Sequence, residues 1–176
     1  MSAPTAGRAR EADSYVTRFG SLGSYQKGGV EIINDDPRHY AFSNVFEVAG
    51  NAASWERIAV GKNMKYVLEV VRAEGTSPWY TAAHDEFAVV LDGEVEITLV
   101  KPDESAVPPD TEGSVRLDGE PAGRRMGRVV ARRGHMTLLP AGAAYRFTSA
   151  TPGVVLMQTI AGPLTQFRWA EICQSL

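Results

Sequence analysis

From Asn44 onward the chain becomes a succession of short runs rich in Val, Ile, Leu and aromatic residues: Val45–Val48, Glu56–Val60, Met64–Ala73, Phe87–Leu91, Glu94–Lys101, Arg128–Arg132, Met136–Leu139, Tyr145–Ser149 and Val154–Ile160. Turn residues separate them, at Gly61, Gly75–Pro78, Asp92-Gly93, Pro140–Gly142 and Pro152-Gly153. In Glu94–Val100 polar and apolar residues alternate strictly, which predicts a strand with one face buried and one in solvent. Asp92-Gly93 between two such runs signals a hairpin. Many short strands punctuated by Gly and Pro predict an all-β fold, an antiparallel barrel of the jelly-roll type.

The flanks are less regular. Residues 1–43 read as an N-terminal arm whose first part, Met1 to about Asp13, lacks hydrophobic periodicity and is expected to be flexible. The rest of the arm sets Tyr15, Phe19, Tyr25, Tyr40 and Phe42 between Gly28-Gly29 and the Asn34–Pro37 turn signal. So aromatic an arm either wraps its own barrel or lies on another subunit. Residues 44–163 form the expected barrel, interrupted by a Pro- and Gly-rich loop over 102–125 in which only Ser114–Leu117 suggests pairing. That loop is either a binding element or a tolerated surface insertion. The segment 164–176, with Phe167, Trp169, Ile172 and Leu176, is read as a short helix or strand packed on the barrel or on a partner.

Composition narrows the function classes. With 18 Lys+Arg against 21 Asp+Glu and a net charge of -3, there is no broad basic field, and no nucleic acid or anionic membrane is expected as a partner. Cys173 is the single cysteine, so neither an intrachain disulfide nor a thiolate cluster is available, which fits a reducing compartment. No apolar leader and no membrane span are expected, placing the protein in the cytoplasm. Arg124, Arg125, Arg128, Arg132 and Arg133 form a local basic cluster, read as a solvated face or as a match to an acidic partner. Glu69 and Glu74 are read as solvated strand positions. With three histidines and no nucleophile elbow, Ser/His/Asp hydrolysis is set aside, and no phosphate loop is present.

Two segments carry a specific spacing. Glu86 is followed by six residues and Gly93. Later come Gly134, five residues, Pro140, Gly142 and, after two further residues, Tyr145. These frames resemble the paired motifs of the cupin superfamily, and they imply a cupin-type barrel in one domain. In cupins the first motif also has two histidines before the glutamate, and the second ends in histidine. Here those places fall on Trp79 to Ala82 and on Tyr145, which offer no imidazole. A mononuclear site needs three or four imidazoles and carboxylates converging on one point, and of the motif ligands only Glu86 remains. One alternative stays open: His84 and Glu86, two apart and on one strand face, with His135 as third ligand. Otherwise His84 and Glu86 bond to each other or to polar neighbours inside a metal-free barrel.

A closer similarity extends over most of the chain. The run Ala83–Val95, the preceding Thr76–Tyr80, the later Leu138–Phe147 and the arm segment Tyr25–Ile33 resemble the small subunit of two-component hydroquinone 1,2-dioxygenases. The resemblance implies a large cupin partner subunit that carries non-haem Fe(II), a heterotetramer of two small and two large chains, and opening of hydroquinone to a hydroxymuconic semialdehyde. It carries over no catalytic, cofactor-binding or metal residue to this chain, which is expected to be a supporting subunit with little activity alone. A stand-alone metal-dependent cupin using His84, Glu86 and His135, and a ligand-binding cupin without chemistry, are the competing readings.

Overall fold

The computed structural model describes residues 20–25, 33–34 and 44–169. The expectations for the Met1–Asp13 tail, for Tyr15, Phe19, Tyr40 and Phe42, for Cys173 and for residues 170–176 therefore lie outside the described residues.

In chain order the elements are α1 (Val45–Gly50), β1 (Arg57–Asn63), β2 (Tyr66–Thr76), β3 (Trp79–Ala82), β4 (Glu86–Asp92), β5 (Glu94–Pro102), β6 (Ser114–Leu117), β7 (Gly123–Arg132), β8 (Met136–Leu139), β9 (Ala144–Ile160) and β10 (Thr165–Gln166). The strands belong to one curled sheet, a cupin-type barrel. The 17-residue β9 is its seam. Its first half pairs with β3 and β5, and its second half with β2 and β4. Outside β5 runs β7, outside β3 runs β6, outside β4 runs β8, and beyond β2 lie β1 and β10. Inward positions of both halves, among them Val90, Ile97, Leu139, Phe147 and Met157, fill one core.

Several expectations change, each for a local reason. Val45–Val48 forms the helix α1 rather than a strand, because the Asn44 side chain accepts the Phe46 and Glu47 N–H groups at 3.0 and 3.4 Å and caps a helical turn. Its Val48 and Ala49 then pack on Ile58, Val70 and Val154, on the outside of the sheet. Gly61 is not a turn but lies at a register shift within β1, and the chain reverses at Met64, whose φ is 57°. Pro152-Gly153 does not end a strand: Ala150–Pro152 bulge into solvent while the β2 pairing resumes at Gly153. Asp92-Gly93 does not close a hairpin ladder, since β4 and β5 pair with opposite halves of β9. The chain crosses there from one half of the curled sheet to the other. Gly93 has φ 79°, and a Cβ on it would meet Gly153 Cα at 3.1 Å, so this motif glycine serves the corner. The expected long loop is also shorter, because β7 already pairs Gly123 with Pro102 and β6 pairs with β3. β3 itself carries no periodic signal, since all four of its residues are buried.

Asp92 holds this corner to the arm. Its carboxylate accepts the Leu22 N–H at 2.8 Å, the Gly93 N–H at 3.0 Å and Arg133 Nη2 at 2.6 Å. Leu22 in turn packs against the α1 cluster, so this part of the arm lies on its own barrel. Burial opposes the charge on Asp92, but those three donors outweigh it and hold its pKa below the ordinary 3.8. A lowered carboxyl pKa gives stability that is present above the ordinary value and lost as pH falls through the folded one. Asp92→Asn should therefore cost about 1 kcal/mol at pH 7. It should also flatten the acid limb of a plot of unfolding midpoint against pH below about pH 4.

Candidate functional site

The two motif frames bring Glu86 and Tyr145 together. Glu86 opens β4, whose alternate residues point into the barrel, and Tyr145 lies near the start of β9, also facing inward. Both are fully buried. Tyr145 Oη donates to Glu86 Oε2, and Ser114 Oγ, from the first residue of β6, donates to Glu86 Oε1. Between them lies a residue that no motif announces. Arg57, the first residue of β1, donates from Nη1 to Ser114 Oγ at 2.5 Å and from Nη2 to Tyr145 Oη at 3.0 Å. Its Nη1 lies 3.7 Å from Glu86 Oε1 and 3.6 Å from Glu69 Oε2, and its guanidinium carbon stands 4.6 Å from the centre of the Tyr80 ring. Glu69 Oε1 accepts Thr165 Oγ1 at 2.6 Å, which ties the two-residue β10 into the cluster.

Burial dominates the electrostatics. It works against the Arg57 charge, but Tyr145, Glu86 and Glu69 outweigh it and raise the pKa further, so this guanidinium stays charged. Burial also raises the Tyr145 phenol, with Arg57 opposing and Glu86 adding to the rise, so Tyr145 remains a protonated donor. Glu69 is raised as well: burial leads, and Arg57 and Thr165 do not offset it. The geometry agrees, since Glu69 Oε2 has no hydrogen bond and only a distant guanidinium. Glu69 is thus corrected from a solvated position to one that is 1% exposed. The signal was present in Val67-Glu69-Val71, which places it on the apolar face of β2. Glu74 is half-buried with its side chain 43% exposed, in keeping with a solvated position, and pairs with Arg72 at 2.7 Å.

The histidines go elsewhere. His84 lies in a bend before β4 rather than on its inward face, where the neighbouring Asp85 carboxylate accepts the Ala141 N–H at 2.8 Å. His84 Nε2 lies 3.0 Å from Thr159 Oγ1 and accepts the Ile160 N–H at 3.3 Å. His135 is exposed in the turn between β7 and β8, with Nδ1 on the Arg132 backbone. His84, Glu86 and His135 do not converge, and among the described residues no three His, Cys, Asp or Glu side chains are grouped to hold an ion. Both Glu86 oxygens are taken by hydroxyl donors, with a guanidinium close by. These donors do not fit a metal ion. Of the basic cluster, Arg128, Arg132 and Arg133 pair with Glu96, Glu94 and Asp92 of the same chain at 3.2, 2.6 and 2.6 Å. Among the described residues no helix is long and apolar enough to cross a membrane.

Comparison with known proteins adds the family context. The chain is similar to hydroquinone 1,2-dioxygenase from Sphingomonas sp. TTNP3 with 4-hydroxybenzoate bound, at 58% identity and a TM-score of 0.87, over 92% of this chain and 98% of that one. It is similar to hydroquinone 1,2-dioxygenase PnpCD in complex with Cd2+ and 4-hydroxybenzonitrile, at 52% identity and a TM-score of 0.85, over 93% and 99%. A different, longer chain of PnpCD, solved with Fe3+, shares only the fold: 13% identity and a TM-score of 0.54, over 68% of this chain and 32% of that one. No protein-family model and no curated protein matches.

Removing one partner from a buried ion cluster leaves an unmatched charge. Arg57→Met should therefore lower stability in urea denaturation by about 3–5 kcal/mol, and adding Glu86→Gln and Glu69→Gln should recover part of the loss. The raised Glu69 pKa has the opposite sign to that of Asp92. Its contribution is complete below the ordinary value of 4.5 and is lost as pH rises through the folded one. In Glu69→Gln the decline of unfolding midpoint on that side should disappear.

Proposed function

Because this chain belongs to the hydroquinone 1,2-dioxygenase family, we propose that it is the small, metal-free subunit of a heteromeric enzyme whose larger cupin chain holds Fe(II) and opens the ring of hydroquinone to a hydroxymuconic semialdehyde. The observation that carries this reading is Arg57. A charged guanidinium lies beside Glu86 and Tyr145, the residues in the motif positions for a metal-binding glutamate and histidine. A cation would have to displace it and strip Glu86 of two hydroxyl donors, which the low-dielectric centre makes unfavourable. The iron would polarise oxygen and substrate in the larger chain, and this chain would support assembly and shape the neighbouring site.

A second observation favours a chain that works inside an assembly. α1 covers part of the outer face of the β1–β2–β9–β4–β8 sheet and leaves two uncharged rows open. One runs Leu68, Gln158, Phe87, Leu138 across four strands, and the other runs Leu156, Val89, Met136. Met136 is 65% exposed and Leu138 45%. Monomeric proteins seldom leave contiguous apolar surface of this kind uncovered. The same reading gives a heterotetramer of two small and two large chains in the cytoplasm. A stand-alone metal-dependent cupin finds no support in the separated positions of His84, Glu86 and His135.

Purified by itself, the chain should contain little iron and leave hydroquinone unchanged in an oxygen-uptake assay. Co-purified with the larger cupin chain, it should give turnover, with iron tracking the large chain. Near-stoichiometric iron in the isolated chain, or ring cleavage by it, would sink the assignment.

A further inference from the structure

We propose that the cleft at the mouth of this barrel, outside the buried Arg57 cluster, binds a small aromatic carboxylate. The cleft has a volume of about 370 Å³ and is lined by Trp55, Arg57, Tyr80, Arg116 and Leu164 together with Pro78 and Pro163. That volume is within the range of small-molecule sites, and flat apolar walls with a few convergent polar groups are their usual composition. Two of the lining side chains are cationic. Glu56, the lining carboxylate, is engaged by Arg168.

The sheet register builds the polar end. Arg116 lies directly opposite Tyr80 across the β6–β3 pair, and Tyr80 lies opposite Tyr145 across β3–β9. Opposite residues in an antiparallel pair share a face, so Arg116 continues the row that begins in the buried cluster. Unlike Arg57, Arg116 is exposed and makes no ion pair with any described residue. A planar guanidinium without a partner suits a carboxylate, which it can hold with two parallel hydrogen bonds.

Trp55 builds the aromatic end and is held in a strained conformation. Its φ is 63°, in the left-handed region that a bulky residue seldom adopts. The Trp55 N–H donates to the Arg72 carbonyl at 2.9 Å, and the indole stacks on Phe147 with centroids 5.7 Å apart and planes 7° from parallel. Among the described residues nothing accepts its indole N–H. Backbone strain of this kind persists only where the surrounding structure over-determines it, and it clusters at active sites and ligand clamps. A ring lying against Trp55, Pro163 and Leu164, with its carboxylate on Arg116, fits the cleft. Neither a metal nor a partner chain is needed for this binding.

Benzoate is the probe, titrated calorimetrically into the purified full chain. Benzamide serves as its neutral counterpart and cyclohexanecarboxylate as its non-aromatic one. One benzoate per chain is expected, with binding weakened about tenfold or more in Arg116→Gln and for both analogues. Because Arg116 is exposed, its substitution leaves the fold intact. In the complex with the larger chain, photoactivated 4-azidobenzoate should label peptides of this chain that contain Trp55 or Leu164. No saturable binding, equal binding by Arg116→Gln or by either analogue, or no labelling of those peptides would overturn the proposal. The calorimetric results do not depend on whether the chain is an iron-free subunit, and the labelling alone rests on the assembly proposed above.

Discussion

A guanidinium enclosed in the centre of a β-barrel must be matched by acceptors, or the cost of taking it out of water unfolds the protein. Arg57 is matched from nearly every part of the fold. β4 brings Glu86, β2 brings Glu69, β9 brings Tyr145, β6 brings Ser114 and β3 lays the Tyr80 ring against it. Ser114 comes from a short strand inside the Pro- and Gly-rich insertion. Thr165, from the last strand, bonds the far side of Glu69. The insertion and the C-terminal segment are thereby drawn into the same electrostatic unit as the two motif strands.

This arrangement changes what the barrel can do. A metal-dependent centre needs imidazoles and carboxylates that converge and leave a coordination position open for substrate or water. Here Glu86 has no free oxygen, Tyr145 is held as a protonated phenol, and the cation in the middle is part of the chain. The frame that positions ligands in cupins has been kept while its centre has become a structural ion cluster. On the function proposed above, redox chemistry falls to the larger chain that holds the ion, and the open apolar rows on the outer sheet serve assembly.

How much of this the sequence displays depends on how local each requirement is. Gly93 and Gly142 have φ of 79° and 71°, a need written in their own residue type, and so the motif frames and the fold were readable. Glu86 and Tyr145 were readable as positions within those frames. Arg57 was not, because its bond to Ser114 spans 57 positions and its bond to Tyr145 spans 88, and nothing near Arg57 in the chain marks it as buried. β3 escaped notice because a fully buried strand has no alternation. Val45–Val48 suited either element, and the Asn44 cap decided for helix. Pro152-Gly153 signals a departure from regular pairing, but a bulge and a chain reversal use the same residues.

Stability by itself does not explain why the centre is polar. Well-packed apolar residues in place of a buried ion cluster are often neutral or stabilising, so a barrel filled with leucine and phenylalanine would stand as firmly. The cluster is better understood from what opens onto it. Arg57 and Tyr80 line the cleft on one side while they contact Glu86 and Tyr145 on the other. An apolar centre would leave the cleft with Arg116 as its only lining cation. On the binding proposed above, the exposed Arg116 and the aromatic wall give the mouth of this barrel its selectivity, while the acceptors around Arg57 fix the side chain that lines its floor.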